Sequence, residues 1–350
     1  MKRILLTLDY ELFGDGSGDV FKHIVEPTSI IADVAEQYGA KLTVFFEVVE
    51  YWRLKQEWES GNHMGYEHNP AKAMAQQVVD LMKRGHDVQL HLHPQWVDAR
   101  WEDGRWIVNL DNWRLSYFKS PTMSLKQLIA DGKRTLEEII KPDIPDYECV
   151  ALRAGGYNVQ PSQDIVEIMR ELGLMADSSV VPGAVEQGAL SKYDYRVAPL
   201  DVGVWNVNDI LETPSDMPSQ IKEFPVVAFP VIRFLKFMSI TRIKSIFANR
   251  KSAQASFSAK TADNTGGGGI MKKMSFFFKK EYQTWDYCLF PKWMHRYFLR
   301  KISKQNEREI FVVIGHPKSL VTTDSLEYML KKTCSRFEFP TVLELSHSFQ

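Results

Sequence analysis

Two histidines one residue apart close an apolar run at Gln89-Leu90-His91-Leu92-His93-Pro94. On a strand, the side-chain period of two puts both imidazoles on one face, and Pro94 stops further pairing. Neutral imidazole nitrogen is among the commonest ligands for zinc and similar ions, so this pair is a candidate half of a metal site. The missing carboxylates have a counterpart at the end of the first apolar run, where Asp9 and Glu11 also share a strand face. His316 is a third strand-end histidine, after the run at 309–314. Three protein ligands would leave a divalent ion an open position for water and lower that water's pKa to roughly 7. Each residue also has a plainer reading. A lone strand-end histidine is more often a hydrogen-bonded structural residue, and strand-end acids are often loop or capping charges.

The elements that would position these side chains alternate. Residues 3–8, 41–48, 87–92 and 309–314 are short apolar runs that read as buried strands. Helical patterns lie between them: one closes at Gly39, another near Gly85, and others cover 124–140 and 163–172, the last stopped by Gly173. Strand–helix alternation implies parallel strands with right-handed crossovers, whose carboxyl ends form the site in barrel folds. Residues 101–113 read as a hairpin or excursion turning at Asp103-Gly104, with tryptophans that suit either core packing or a sugar face.

With 350 residues the chain can form one barrel-sized domain or two smaller ones. Its 44% hydrophobic and 25% charged shares exclude disordered and fibrous classes, and a net charge of -1 gives no global attraction to nucleic acid. The cysteines Cys149, Cys288 and Cys334 are odd in number and far apart, which suits a reducing compartment. Asp9 and Glu11 break the N-terminal apolar run before it reaches signal-peptide length, so a cytoplasmic location is expected. Residues 231–300 stand apart. Arg233, Lys236, Arg242, Lys244, Arg250 and Lys251 alternate with Phe234, Phe237, Ile240 and Phe247, and a Gly266–Gly269 run interrupts the pattern. The expectation is an inserted basic, mostly helical segment within a single 1–350 domain, either packed on the barrel or in peripheral contact with an anionic membrane.

The ordered set of motifs resembles the polysaccharide deacetylase family, the NodB-homology or carbohydrate esterase family 4 group. Thr7-Leu8-Asp9-Tyr10-Glu11, Thr43-Val44-Phe45-Phe46, Gly85-His86-Asp87-Val88-Gln89-Leu90-His91, Arg153-Ala154-Gly155-Gly156-Tyr157, Asp177-Ser178-Ser179 and Ile314-Gly315-His316 are similar to its successive segments. The resemblance implies a distorted, incomplete parallel (β/α) barrel. It implies Asp9 as general base, Glu11, His91 and His93 as metal ligands, and the Tyr157 backbone N–H as oxyanion donor. It further implies His316 as general acid, Arg153 orienting the base and Asp177 orienting His316. Two departures from the family pattern stand out. Tyr10 separates the paired acids, and position 95, where the second histidine is usual, is Gln95, so either His93 or Gln95 is the third ligand. The implied cofactor is a divalent metal, zinc first, with cobalt, nickel and manganese as alternatives. The implied partner is an N-acetylated sugar or glycan, with oligomeric state left open. A small amide or cyclic imide acted on by the same site, and a non-catalytic glycan- or membrane-binding barrel, are the competing readings.

Overall fold

A computed structural model of the chain describes residues 2–233 and 278–349. β1 (Arg3–Tyr10) is followed by α1 (Glu26–Gln37), β2 (Leu42–Glu47), α2 (Val48–Glu59), α3 (Pro70–Lys83) and β3 (Asp87–Leu92). A hairpin of β4 (Arg100–Glu102) and β5 (Arg105–Ile107) precedes α4 (Leu125–Ile140), β6 (Ala151–Ala154), α5 (Gln163–Glu171) and β7 (Ala176–Asp177). Next come a second hairpin, β8 (Val185–Gln187) and β9 (Lys192–Asp194), then β10 (Trp205–Val207), β11 (Ile221–Glu223) and β12 (Ala228–Ile232). After the undescribed stretch come β13 (Lys280–Thr284), α6 (Lys292–Ile302), β14 (Ile310–Gly315), α7 (Asp324–Thr333) and α8 (Val342–Ser348).

Local chemistry accounts for several of these elements. Ser124 and Gln127 form a reciprocal capping box that starts α4, and Leu128, Ile129, Leu136 and Ile140 bury its inner face. The β4–β5 turn places Asp103 and Gly104 at φ of 49° and 75°, the positive pair that a tight hairpin of the right-handed twist requires. β1 extends to Tyr10 because Asp9 and Tyr10 still pair with Phe45 and Phe46 of β2. Asp9 therefore sits inside the strand rather than after it.

The main sheet runs β10-β11-β7-β6-β3-β2-β1-β14, antiparallel only at β10–β11. It curls until its two ends meet. Val226, just after β11, donates to the Val180 carbonyl at 2.9 Å, and Val227 donates to the Val312 carbonyl of β14 at 2.8 Å. Trp285 and Tyr287 bond the same region of β14. The seam is thus made by short extended stretches and not by a regular strand, which is the distorted and incomplete barrel expected. Along β1 the period of two sends Thr7 and Asp9 inward to Arg153, while Tyr10 points outward to Gln77 of α3.

The 231–300 boundaries need correction. β12 and β13 pair antiparallel from Ala228↔Thr284 to Ile232↔Lys280, so strand lies on either side of 234–277, and α6 is the helix at the far end of the stretch. Residues 285–287 belong to the barrel seam, and α6 packs Met294, Phe298 and Ile302 into the core. Extended pairing decides 228–232 and 280–287, whereas α6 keeps the helical form expected. The basic–aromatic pattern at 234–277 lies outside the described residues. Among the described residues no helix is long and apolar enough to cross a membrane.

Arg308 clamps the seam from beneath. Its buried guanidinium donates to the carbonyls of Ile310 and Pro225 at 2.9 and 3.2 Å, and to that of Leu200 at 3.2 Å. Truncation would remove the arginine donor from all three, and only the Leu200 carbonyl keeps another, from the Gln305 amide at 3.3 Å. Arg308→Ala is expected to lower unfolding stability by about 2–3 kcal/mol with an unchanged denaturant slope, measured by urea titration.

Candidate metal and acid–base site

All the inward side chains singled out in the sequence arrive at the carboxyl-terminal rim of the parallel strands. Glu11 follows β1, His91 and His93 end β3, and the three offer ligand atoms within 4.8 Å of one another. Glu11 Oε2 lies 3.3 Å from His91 Nε2 and 2.8 Å from His93 Nδ1. His91 Nδ1 lies 2.9 Å from the Arg153 carbonyl, a bond that places the proton there and leaves Nε2 with its lone pair toward Glu11. Lys318 Nζ holds the other Glu11 oxygen at 2.7 Å, so Oε2 is the one turned to the histidines. Two imidazoles and one buried carboxylate, each oriented by an outer partner, fit a divalent cation. Gln95, the other candidate ligand, turns its amide nitrogen to the Gly14 carbonyl at 3.5 Å, and its amide oxygen is buried without a hydrogen-bond partner.

Electrostatics favours positive charge here. Burial raises the Glu11 carboxyl, but His93, Lys318 and His91 outweigh it and hold the group well below the usual carboxylate range. Burial pulls His93 down, yet Glu11 and Glu47 push it up to about 10. Glu47, at the end of β2, was not apparent as a site residue from the sequence. Its Oε2 lies 2.9 Å from His93 Nδ1, the same nitrogen that faces Glu11, while Oε1 caps the start of α2. Glu50 lies behind it, pushed well above the usual range by burial and by Glu47 and Glu11.

The acid–base half adjoins this cluster. Arg153 Nη1 donates to Asp9 Oδ1 at 2.6 Å. Burial raises Asp9, but Arg153, His91 and His316 prevail and lower it. His316 Nε2 faces Asp9 Oδ2 at 3.6 Å, and its Nδ1 is 2.8 Å from Asp286 Oδ2. Burial disfavours the imidazolium, yet Asp286 and Asp9 raise His316 overall. Asp286 replaces Asp177 in the expected role. The Asp177 carboxylate instead accepts from the Ser179 N–H at 2.8 Å and the Ser179 hydroxyl at 3.0 Å. It thereby shapes the 177–179 turn, whose Ser178 carbonyl and hydroxyl each receive a 2.8 Å bond from Arg153. Asp177 is a partner of Arg153's support and not of the histidine, because the barrel seam delivers Asp286 there first.

Asp9, Glu11, His93, His316 and Lys318 line a pocket of about 280 Å³, walled by Phe13, Trp113 and Tyr157. Trp113 arrives by the excursion after β5 and is fixed by an indole bond to the Ser191 hydroxyl at 3.0 Å. Tyr157 has φ of 62°, and Gly156 has φ of 57°. Such a conformation is strained for a tyrosine, and it brings the 155–157 backbone against the site. Of the side chains missed in the sequence, Lys318 and Glu47 had a signal in their positions next to strand ends. Asp286 had none, lying inside the stretch taken for an insertion.

No family model matches the chain, and no curated protein does. Among solved structures it is similar to a putative polysaccharide deacetylase from Mycobacterium smegmatis, at 11% identity and TM-score 0.46, covering 99% of this chain and 90% of the other. It is similar also to PuuE allantoinase, at 11% identity and TM-score 0.47, covering 99% and 89%. A polysaccharide deacetylase from Bacillus cereus gives 11% identity and TM-score 0.41, covering 99% and 95%.

The seat of His93 depends on a missing side chain. A Cβ at Gly155 would stand 2.2 Å from His93 Cδ2 and 2.4 Å from Nε2. Gly155→Ala is expected to displace the imidazole and weaken divalent-metal binding by roughly 10–100-fold, the range seen when ligand support is lost, as measured by competition with a chromogenic chelator.

Proposed function

We propose that the protein is a metal-dependent hydrolase that removes an N-acetyl group from an amino sugar of a polysaccharide or glycan precursor. The supporting observation is the convergence of Glu11, His91 and His93 beside Asp9 and His316, at one pocket. In this reading Glu11, His91 and His93 hold the ion, with zinc the first choice and cobalt, nickel or manganese the alternatives. The bound ion supplies Lewis acidity to the acyl oxygen and to the attacking water.

The remaining steps belong to the chain's own residues. Asp9, kept ionised by Arg153, takes the proton from water as oxygen attacks the acyl carbon. The Tyr157 backbone N–H is the donor to the developing oxyanion in this reading. His316, its imidazolium favoured by Asp286, gives its proton to the leaving nitrogen as the C–N bond breaks. Acetate and a free amine result. Phe13, Trp113 and Tyr157 give the pocket apolar faces suited to a pyranose ring. The cysteine usage supports a cytoplasmic setting, with Cys149 and Cys288 buried and unpaired. Peripheral membrane contact through 231–300 is part of the same proposal.

The decisive measurement pairs metal analysis of the purified protein with acetate release from N-acetylglucosamine oligomers. Asp9→Ala should cut turnover by roughly 10²–10⁴-fold and leave the metal content unchanged, whereas His91→Ala should lose both. Absence of metal, with no acetate after zinc, cobalt or nickel is added, would end the hydrolase reading. Turnover confined to small amides would replace the sugar as substrate.

The pH profile gives a second check. His316 must be protonated to act, and Asp286 raises its pKa, so activity in the native protein should persist to higher pH. Asp286→Asn should move the basic limb of kcat/KM to lower pH. A limb that stays in place would remove His316 from the acid's role.

A further inference from the structure

A strongly cationic groove lies between α6 and α7, lined by residues that have no part in the site above. Arg296 and Arg300 are one turn apart on α6, and Lys304 follows at the same spacing past its end. Tyr328 and Lys332 repeat that spacing on α7, with Arg336 beyond it. The five cations and Tyr328 line one concavity of about 590 Å³, and no acidic residue lines it. Arg296 Nε reaches the Tyr328 hydroxyl at 3.4 Å, and Lys332 Nζ lies 6.0 Å from the Tyr328 ring centre. Cations from both helices therefore gather round a single ring.

This concentration of charge does not follow from composition. The chain has 43 Lys and Arg against 44 Asp and Glu, and several surface cations elsewhere are paired, as in Lys41–Glu344, Lys83–Asp143 and Lys126–Glu171. Among the described residues none of the five groove cations forms an ion pair with an acid. Like charges one helical turn apart repel. Favourable interaction with helix carboxyl termini accounts for cations in the last turns, as at Arg300 and Lys332. It leaves Arg296, in mid-helix, and Arg336, beyond α7, without a compensating charge. Lys2 also feels this field: its pKa is lowered by burial and then by Arg336.

We propose that this groove is a binding site for a diphosphate group, free or at the head of a larger molecule. Three guanidinium forks match the paired oxygens of phosphate, and two lysines add point charge between them. Five cations exceed what one phosphate neutralises, whereas two linked phosphates balance them better. A concave groove admits a headgroup-sized anion but not the plane of a bilayer.

The test is calorimetric titration of the full-length protein with inorganic pyrophosphate, orthophosphate and phosphatidylglycerol vesicles, at low and high salt. Pyrophosphate should bind more tightly than orthophosphate, raise Tm, and weaken with added salt. The double variant Arg300→Gln/Lys332→Gln removes one cation from each helix and should weaken pyrophosphate about tenfold or more, since charge-assisted bonds are lost. Its own Tm, without ligand, should equal or exceed the native value because repulsion is relieved. Lys126→Gln, at a paired surface lysine, should bind as the native protein does. If the double variant fails to fold, Arg300→Lys keeps the charge but loses the fork, and should still weaken pyrophosphate. Absence of saturable binding to the folded native protein at low salt would overturn the proposal. Equal loss in Lys126→Gln, or vesicle binding that pyrophosphate does not displace, would also overturn it.

Discussion

One buried guanidinium holds the mouth of this barrel together. Arg153, at the end of β6, is fully buried and bonds Thr7 and Asp9 on β1, and Ser178 after β7. Its guanidinium lies 4.0 Å from the centre of the Phe45 ring on β2. Four strands are thus tied through a single side chain. A charge in that position would cost several kcal/mol if unpaired, and it is tolerated because Asp9 neutralises it and neighbouring oxygens take up its donors. The same pairing keeps Asp9 ionised in a place where burial alone would protonate it.

The rest of the mouth repeats this logic in pairs of opposite sign. Lys318 fixes one oxygen of Glu11, Glu47 holds His93, and Asp286 holds His316. Each reactive group thereby has an outer partner that sets both its orientation and its protonation. Glu47 does so while capping α2, so the start of a helix and the seat of a candidate ligand share one carboxylate. Glycine completes the packing where no side chain fits, most clearly at Gly155 against His93.

The strands and their rim residues were legible in the sequence because they are local properties. Apolar runs of strand length define β1, β2, β3 and β14, and a period of two keeps Asp9 with Glu11 and His91 with His93 on shared faces. The helix beginning at Ser124 and the Asp103-Gly104 turn were equally local. Partner choice was not. Asp177 has the residue type and rim position to orient a histidine, but its carboxylate is taken by Ser179. Asp286 lacked any signal because it comes from a seam whose strands are too short to show periodicity.

The sequence by itself determined which chemistry the barrel could carry. Imidazoles and carboxylates at strand ends follow from residue identity and spacing, and parallel strands place such ends on one rim. Only the tertiary structure decided which acid meets which histidine. Glu47 reaches His93 through the β2–β3 register, and Asp286 reaches His316 through the closing of the barrel against β14. Those contacts join residues far apart in the chain, and their geometry is set by sheet curvature and closure, which no local pattern encodes.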